Sequence, residues 1–272
     1  EKKYRTIFDV RSLLPEENIT IGTWSYESDI YKLWKKIEYL TIKNSNFVIT
    51  VSKTMEKQIR NIYKKTNIKN IYLIGSVEKV TFSKKTRAQI RKQFNFENKF
   101  AILYTGSFGT NIWNNIYNYA ELISSLKILH NELIFVFVVP KIEPFFKKIF
   151  DSYLIPKNCY IFIEGLNKNI FQACDAGINL LSRGPDFKTR FGVKVAEYFA
   201  YGLPVILKNV GGAEEFIHKL NAGIILKNKK NNSKELSIFF KKKYNRLKIA
   251  NLSQKYFSIK IASKEYLELY LS

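Results

Sequence analysis

Cysteine, histidine and methionine are scarce in this sequence, which has 2 Cys, 2 His and 1 Met among 272 residues. Cys159 and Cys174 lack the spacing of metal ligands, and neither His130 nor His218 adds to a cluster. The sequence therefore argues against a zinc site, and no bound metal is expected. We expect both cysteines to be reduced thiols in the core, as is typical of cytoplasmic proteins.

Long hydrophobic runs are also absent, since the longest one covers only Leu133–Val139. A helix that spans a bilayer needs about 20 apolar residues, so no transmembrane helix is predicted. The pattern of a signal peptide is missing as well. The chain begins at Glu1 instead of Met and runs directly into a strand-like segment, so we expect an N-terminal part of the natural protein to precede it.

Acidic residues are few: 23 Asp and Glu stand against 45 Lys and Arg, which gives a formal net charge of +22. Only 8 of the basic residues are Arg. Proteins that recognise bases or phosphates favour Arg, because its planar guanidinium group forms two parallel hydrogen bonds. One interpretation of the excess is a solvated, Lys-rich surface. The other is attraction to something anionic, namely a phosphorylated substrate, an acidic membrane face or nucleic acid.

The order of apolar segments predicts an α/β protein. Residues 97–230 alternate about six strands with helices, which predicts a doubly wound parallel sheet covered on both faces. Residues 1–80 hold about three strands, too few for a complete sheet of this kind. Within them, residues 12–23 are expected to form a loop and residues 71–74 a strand.

Residues 26–44 have helical spacing, with one stripe made of Ile30, Leu33, Trp34, Ile37, Leu40 and Thr41. Two interpretations stay open. The stripe of an ordinary helix would face the core while its lysines are solvated. Alternatively, Trp34 and Leu40 together with the neighbouring lysines would suit an anionic membrane surface.

Two polar loops follow predicted strands, where open parallel sheets bind ligands. The loop at 104–110 contains Gly106 and Gly109, which allow close backbone approach to an anion, although a plain tight turn explains it equally well. Lys188 and Arg190 precede a predicted helix start, where the helix dipole favours an anion.

One turn into that helix, Lys194 and Glu197 share a face at i and i+3. A cation for phosphate and a carboxylate for sugar hydroxyls would suit a nucleoside diphosphate, whereas the alternative is a surface ion pair. Two further turns, at 163–166 and 210–215, border the same edge of the predicted sheet, and ordinary turns explain them as well.

The run 194–206, with Gly106-Ser107, Glu164-Gly165 and Gly211-Gly212 in this order, resembles the nucleotide-sugar-binding domain of retaining glycosyltransferases with the GT-B fold. The similar proteins are glycosyl transferases group 1, above all those of capsule, O-antigen and exopolysaccharide assembly. The stretch 197–205 is the most specific part.

The resemblance implies a Rossmann-like donor domain at 97–230, part of an acceptor-binding N-terminal domain at 1–80, and C-terminal helices at 231–272 that pack back on it. It implies a nucleoside diphosphate sugar as co-substrate, a glycan or lipid-linked acceptor, and neither metal nor cofactor. It also implies a cytoplasmic enzyme, with peripheral attachment to the inner face of the membrane as a subsidiary hypothesis.

The resemblance also assigns roles at the donor. Glu197 would bind the ribose hydroxyls, and Gly106 and Ser107 would lie near the diphosphate. The family's Glu-x7-Glu motif would place its first Glu at position 189, where this chain has Thr. Because that Glu contacts the donor sugar, its absence leaves both the sugar and the activity in question. Lys194 fits members that keep only a Lys and the second Glu.

Further roles concern the base and the chemistry. The turn at 163–166 could by its residues border a flat base through Glu164 and Leu166, and an ordinary turn explains it equally well. By the resemblance, Lys188, Arg190 or Lys194 would replace the usual cations near the diphosphate. Asp9 and Arg11 would face the donor sugar and the acceptor as catalytic residues.

Two other functions stay open. The substitution at Thr189 favours an inactive relative that acts as a binding protein in a glycan-assembly complex. The net charge favours a nucleic-acid-binding α/β protein, but the sequence has no recognition motif of that class, so no nucleic acid partner is expected.

Overall fold

The computed structural model describes residues 4–72, 82–109, 113–126, 131–165, 168–227 and 232–272. Within these ranges, nine strands form two parallel sheets. The strands are β1 Ile7–Val10, β2 Phe47–Thr50, β3 Ile68–Asn70, β4 Phe100–Thr105, β5 Leu133–Val139, β6 Tyr160–Glu164, β7 Ala176–Leu180, β8 Val205–Lys208 and β9 Gly223–Ile225. The helices are α1 Leu14–Thr20, α2 Asp29–Asn44, α3 Lys53–Tyr63, α4 Lys84–Gln93, α5 Ile116–Ser125, α6 Pro144–Ser152, α7 Ile170–Ala173, α8 Val193–Ala200, α9 Glu214–Lys219, α10 Ser233–Lys241, α11 Arg246–Phe257 and α12 Ile259–Leu271.

The first sheet has the order β1-β2-β3 and carries α1 to α3 in its connections. Ile7 pairs with Phe47, and Val48 pairs with Ile68. The Ser52 hydroxyl accepts the amide hydrogen of Met55 over 3.1 Å and so caps the start of α3, as the sequence predicted.

Two expectations for this part of the chain are wrong. Residues 12–23 contain α1 instead of only a loop, because Pro15 stands in the first turn of the helix, where it costs no hydrogen bond. The strand lies at Ile68–Asn70 instead of 71–74, since strand pairing with β2, and not apolar content, sets its position. Ile71 is buried beyond the strand, and residues 73–74 lie outside the described residues.

The second sheet has the order β6-β5-β4-β7-β8-β9, so the predicted doubly wound parallel sheet is confirmed. All seven residues of β5 are buried, as expected for a strand covered on both faces. The order reverses between β4 and β7, because β5 and β6 extend to one side and β8 and β9 to the other. A crevice opens at such a switch point, beyond the carboxyl ends of the strands.

The tail helices contact both sheets. Phe257 of α11 stacks on Phe199 of α8 with 6.2 Å between the ring centroids. Leu269 of α12 belongs to a buried cluster with Ile49 of β2 and Ile71. The last two helices therefore hold the two halves of the described chain together.

Helix α2 turns its apolar stripe outward. Leu33 is 56% exposed and Trp34 is 36% exposed, and Ile30, Ile37 and Leu40 are exposed as well. The interpretation of a core-facing stripe is therefore wrong.

The inner face of α2 carries polar contacts instead. Lys35 Nζ lies 3.0 Å from Glu16 Oε1 and 2.6 Å from Glu38 Oε1, and Glu38 also accepts a short hydrogen bond from Tyr63. Among the described residues, no helix is long and apolar enough to cross a membrane.

Candidate functional site

A crevice of about 480 Å³ opens beyond the carboxyl ends of β4, β5 and β6, beside the first turns of α8. Three sequence-predicted residues meet there: Gly106 after β4, and Lys194 and Glu197 on α8. The crevice is lined by Thr105, Gly106, Val138, Val139, Pro140, Gly165, Val193, Lys194 and Glu197. Its walls are thus mostly apolar, with one cation and one carboxylate on the same helix.

Gly106 shapes the floor of this crevice. Its φ of +124° lies in the region that favours glycine, and its amide donates to the Val138 carbonyl over 3.0 Å. A Cβ at this position would lie 3.1 Å from Lys194 Nζ. The Tyr104 hydroxyl donates to the Ser107 carbonyl over 2.7 Å and fixes the loop beyond Gly106.

The ammonium group of Lys194 is enclosed by this loop. Its Nζ lies 4.1 Å from the centroid of the Tyr104 ring and 3.5 Å from Asn114 Oδ1. Burial lowers the pKa of Lys194 to about 7, although the charge of Glu197 acts in the opposite direction. A bound anion would restore the protonated form, so the site suits a phosphate group.

Helix α8 begins at the crevice with Gly192 as its N-cap. The tyrosine that follows Glu197 anchors the helix, because the Tyr198 hydroxyl accepts the amide hydrogen of Thr105 over 3.0 Å. A Cβ on Gly177 of β7 would lie only 2.3 Å from the Tyr198 ring, so glycine there makes room for this anchor. The cation and the helix start can stabilise a diphosphate, and the carboxylate can accept from hydroxyl groups.

A second cavity of about 240 Å³ lies between the two sheets. Val193 and Lys194 line both this inter-sheet cavity and the crevice. The wall of the inter-sheet cavity comprises Arg11, Ser12, Leu13, Glu17, Met55, Trp113, Asn114, Asn179, Leu181, Asp186, Thr189, Arg190, Phe191, Gly192, Val193 and Lys194. It therefore combines residues from both halves of the chain.

The residues at 188–190 differ in their surroundings. Arg190 is buried and forms a two-point ion pair with Asp186, at 2.6 Å and 2.5 Å, and also donates to the Ser182 carbonyl. Its charge is thus already compensated. Lys188 is exposed and lies outside the lining of both cavities. The Thr189 hydroxyl donates to the Asp186 carbonyl, and its own carbonyl accepts from Ser52.

Arg11 lines the inter-sheet cavity, whereas Asp9 does not. Asp9 forms an ion pair with Arg11 at 2.6 Å and accepts a hydrogen bond from Tyr266 of α12 over 2.8 Å. The structure therefore places Asp9 against the tail helix.

The residues predicted to border the base and the diphosphate are partly outside the crevice lining. Glu164 is exposed, and its carboxylate accepts the amide hydrogen of Ile142 over 3.0 Å, while Gly165 lines the crevice. Ser107 is exposed and contributes its carbonyl to the loop. Leu166 lies outside the described residues.

Sequence reasoning missed Asn179, Trp113 and Glu17, which line the inter-sheet cavity. Asn179 carried a readable signal, because it is the one polar residue in the otherwise apolar strand β7. Trp113 and Glu17 carried none, since only the approach of the two sheets makes them neighbours.

Both cysteines are buried, as predicted, and neither forms a disulfide among the described residues. In the part of the chain that the structure describes, no group of three or more His, Cys, Asp or Glu side chains could hold a metal ion.

Comparisons with known proteins identify a family and a fold. Residues 85–251 match the family "Glycosyl transferases group 1". No curated protein matches the chain significantly in sequence.

Solved structures match the fold at low sequence identity. Anabaena HepE, solved with UDP and glucose, is 15% identical with a TM-score of 0.73, and the match covers 98% of this chain and 71% of that protein. Sucrose-phosphate synthase from Thermosynechococcus elongatus is 15% identical with a TM-score of 0.71, over 99% and 68%. A glycosyltransferase from Rickettsia africae is 17% identical with a TM-score of 0.70, over 97% and 76%. The chain thus has the GT-B fold.

Proposed function

Because this chain belongs to the glycosyl transferases group 1, we propose that it moves a sugar from a nucleoside diphosphate sugar to an acceptor hydroxyl. The observation that carries this proposal is the convergence of Gly106, Lys194 and Glu197 at the crevice beside the start of α8. The UDP and UDP-glucose bound to Anabaena HepE support a donor of the same chemical class.

The proposed mechanism follows from charge. Cleavage of the sugar–phosphate bond leaves a nucleoside diphosphate and an oxocarbenium-like sugar. Lys194 and the start of α8 stabilise the departing diphosphate, so the step proceeds without a metal. Glu197 accepts from the ribose hydroxyls. The anomeric configuration is retained, because the acceptor hydroxyl attacks from the leaving-group side and passes its proton to the departing diphosphate oxygen.

In this proposal the two sheets bind different substrates. Residues 97–230 bind the donor, residues 1–80 contribute to the acceptor site, and residues 231–272 connect the two. Arg11 on the wall of the inter-sheet cavity supports an acceptor site there. The acceptor is a glycan or a lipid-linked glycan of a surface polysaccharide, handled in the cytoplasm at the inner face of a membrane.

Substitution of Glu197 tests the donor site. Glu197→Ala should abolish hydrolysis and transfer of the sugar nucleotide and weaken donor binding in calorimetry, because the ribose hydroxyls lose their acceptor. Glu121→Ala, on the exposed side of α5, is the matched control and should leave both unchanged. Unchanged turnover in Glu197→Ala would disprove the assignment of the donor site.

A non-catalytic binding role is the second candidate, and Thr189 favours it. The Thr189 hydroxyl is engaged with the Asp186 carbonyl, and no carboxylate occupies this position. Calorimetry with UDP and GDP separates the two candidates, since a binding protein without a donor site binds neither nucleotide.

A further inference from the structure

The amide oxygen of Asn179 is a polar atom of the inter-sheet cavity that has no hydrogen-bond partner among the described residues. Asn179 lies on β7, is 1% exposed and lines the cavity wall. Among the described residues, its Oδ1 has no hydrogen-bond partner. A buried amide oxygen in this state is unfavourable, and a ligand that donates to it would recover the lost hydrogen bond.

Other polar groups of the same wall are occupied. The guanidinium of Arg190 is held by the Asp186 carboxylate at 2.6 Å and 2.5 Å, and Asp186 also accepts from Thr20 over 2.5 Å. The Thr189 hydroxyl donates to the backbone over 2.9 Å. These contacts fix the wall of the cavity. A ligand in the cavity can therefore form a hydrogen bond with Asn179 without breaking any of them.

The position of Asn179 connects it to the donor crevice. A Cβ on Gly192, the residue that caps α8, would lie 2.8 Å from Asn179 Nδ2. The amide therefore touches the start of the helix, two residues before Lys194, which lines both cavities. A diphosphate held by Lys194 would leave its attached group facing the inter-sheet cavity.

We propose that Asn179 is a specificity-determining residue whose amide oxygen accepts a hydrogen bond from a hydroxyl group of the transferred sugar. A sugar hydroxyl group can donate a hydrogen bond, which is the interaction that the Asn179 oxygen lacks. This inference rests on the proposed function, because the sugar reaches Asn179 only when the diphosphate occupies the crevice.

The test compares nucleotides with nucleotide sugars by calorimetry, using UDP and UDP-glucose, then GDP and GDP-mannose. Asn179→Leu, of similar size, should leave the affinity for the nucleotide within about twofold and weaken that for the nucleotide sugar about tenfold. Asn118→Leu, outside both cavities, is the control and should change neither affinity.

A second experiment measures the affinity for deoxy analogues of whichever sugar binds. A purely structural role of Asn179 would not change the relative affinities of these analogues. One analogue should bind wild type about tenfold more weakly than the parent sugar, yet bind wild type and Asn179→Leu equally. Equal losses for the nucleotide, the parent sugar and every analogue would overturn the inference and make Asn179 structural. If wild type binds no nucleotide of either kind, the proposed function itself fails.

Discussion

Lys194 is one of two residues that line both cavities, and we expect its pKa of about 7 to make donor binding depend on pH. Only the protonated amine attracts a diphosphate, and a lowered pKa means that this form is lost as pH rises above 7. We expect the affinity for UDP-glucose to be constant below pH 7 and to fall above it by up to about tenfold per pH unit. Calorimetry from pH 6 to 9 measures this.

Lys194→Arg is the matched variant for this prediction, because guanidinium stays protonated throughout the range. Its affinity should be independent of pH from 6 to 9, even if it is weaker overall. UDP-glucose is the suitable probe because its diphosphate does not titrate there. The same fall above pH 7 in both proteins would show that another group is responsible.

Sequence reasoning at the residue scale was strongest where a motif fixed the local backbone. Gly106, Lys194 and Glu197 were predicted to form one site, and the structure brings them to one crevice. The sequence alone could not show that Asp186 neutralises Arg190. Both residues precede α8 in an irregular loop, and only the folded loop brings them together.

Helix α2 shows the corresponding limit at the scale of elements. The spacing of its apolar residues predicted the helix. That spacing does not determine which face of the helix packs against the rest of the protein. The part-buried contacts of Lys35 with Glu16 and Glu38, together with the buried side chain of Ile42, fix the inner face and leave the apolar stripe outside. Similarly, pairing with β2 places the third strand at Ile68–Asn70, a property that no local pattern contains.

The outward stripe makes α2 the proposed membrane contact of this chain. Exposed Lys32, Lys36 and Lys43 flank its apolar residues, and anionic lipid attracts each lysine by roughly 1 kcal/mol. We expect the protein to sediment with vesicles that contain phosphatidylglycerol and much less with pure phosphatidylcholine. Leu33→Glu should abolish most of this binding.

Ile238→Glu supplies the control for the vesicle experiment. Ile238 is also an exposed apolar residue, but it lies on α10, away from the stripe, so this variant should bind vesicles like wild type. If Ile238→Glu loses as much binding as Leu33→Glu, or if binding ignores lipid charge, α2 is not a specific membrane contact.

At the scale of the whole molecule, α12 joins the chain's end to the first sheet. Leu269 is 7% exposed and packs with Ile49, whereas Leu271 on the same helix is 77% exposed. Leu269→Ala should lower the free energy of unfolding by about 2–5 kcal/mol through the lost contacts and the cavity left behind. Leu271→Ala should change it by less than about 0.5 kcal/mol.

Urea unfolding followed by circular dichroism measures both variants. Equal stability of the two would mean that α12 does not anchor the first sheet. The predicted C-terminal helices were readable from the sequence, but their contact with Ile49 joins residues about 220 positions apart and depends on the assembled fold.

The hydrogen bond from the Thr105 amide to the Tyr198 hydroxyl has a thermodynamic consequence. It ties the tip of β4 to α8 inside the core, and the glycine at position 177 makes room for the Tyr198 ring against β7. The two walls of the crevice are thus set before any ligand arrives, so association need not spend conformational entropy on assembling them. We therefore expect the donor to bind a crevice that is already formed. Calorimetry of donor binding should record only a small entropic penalty for ordering the protein.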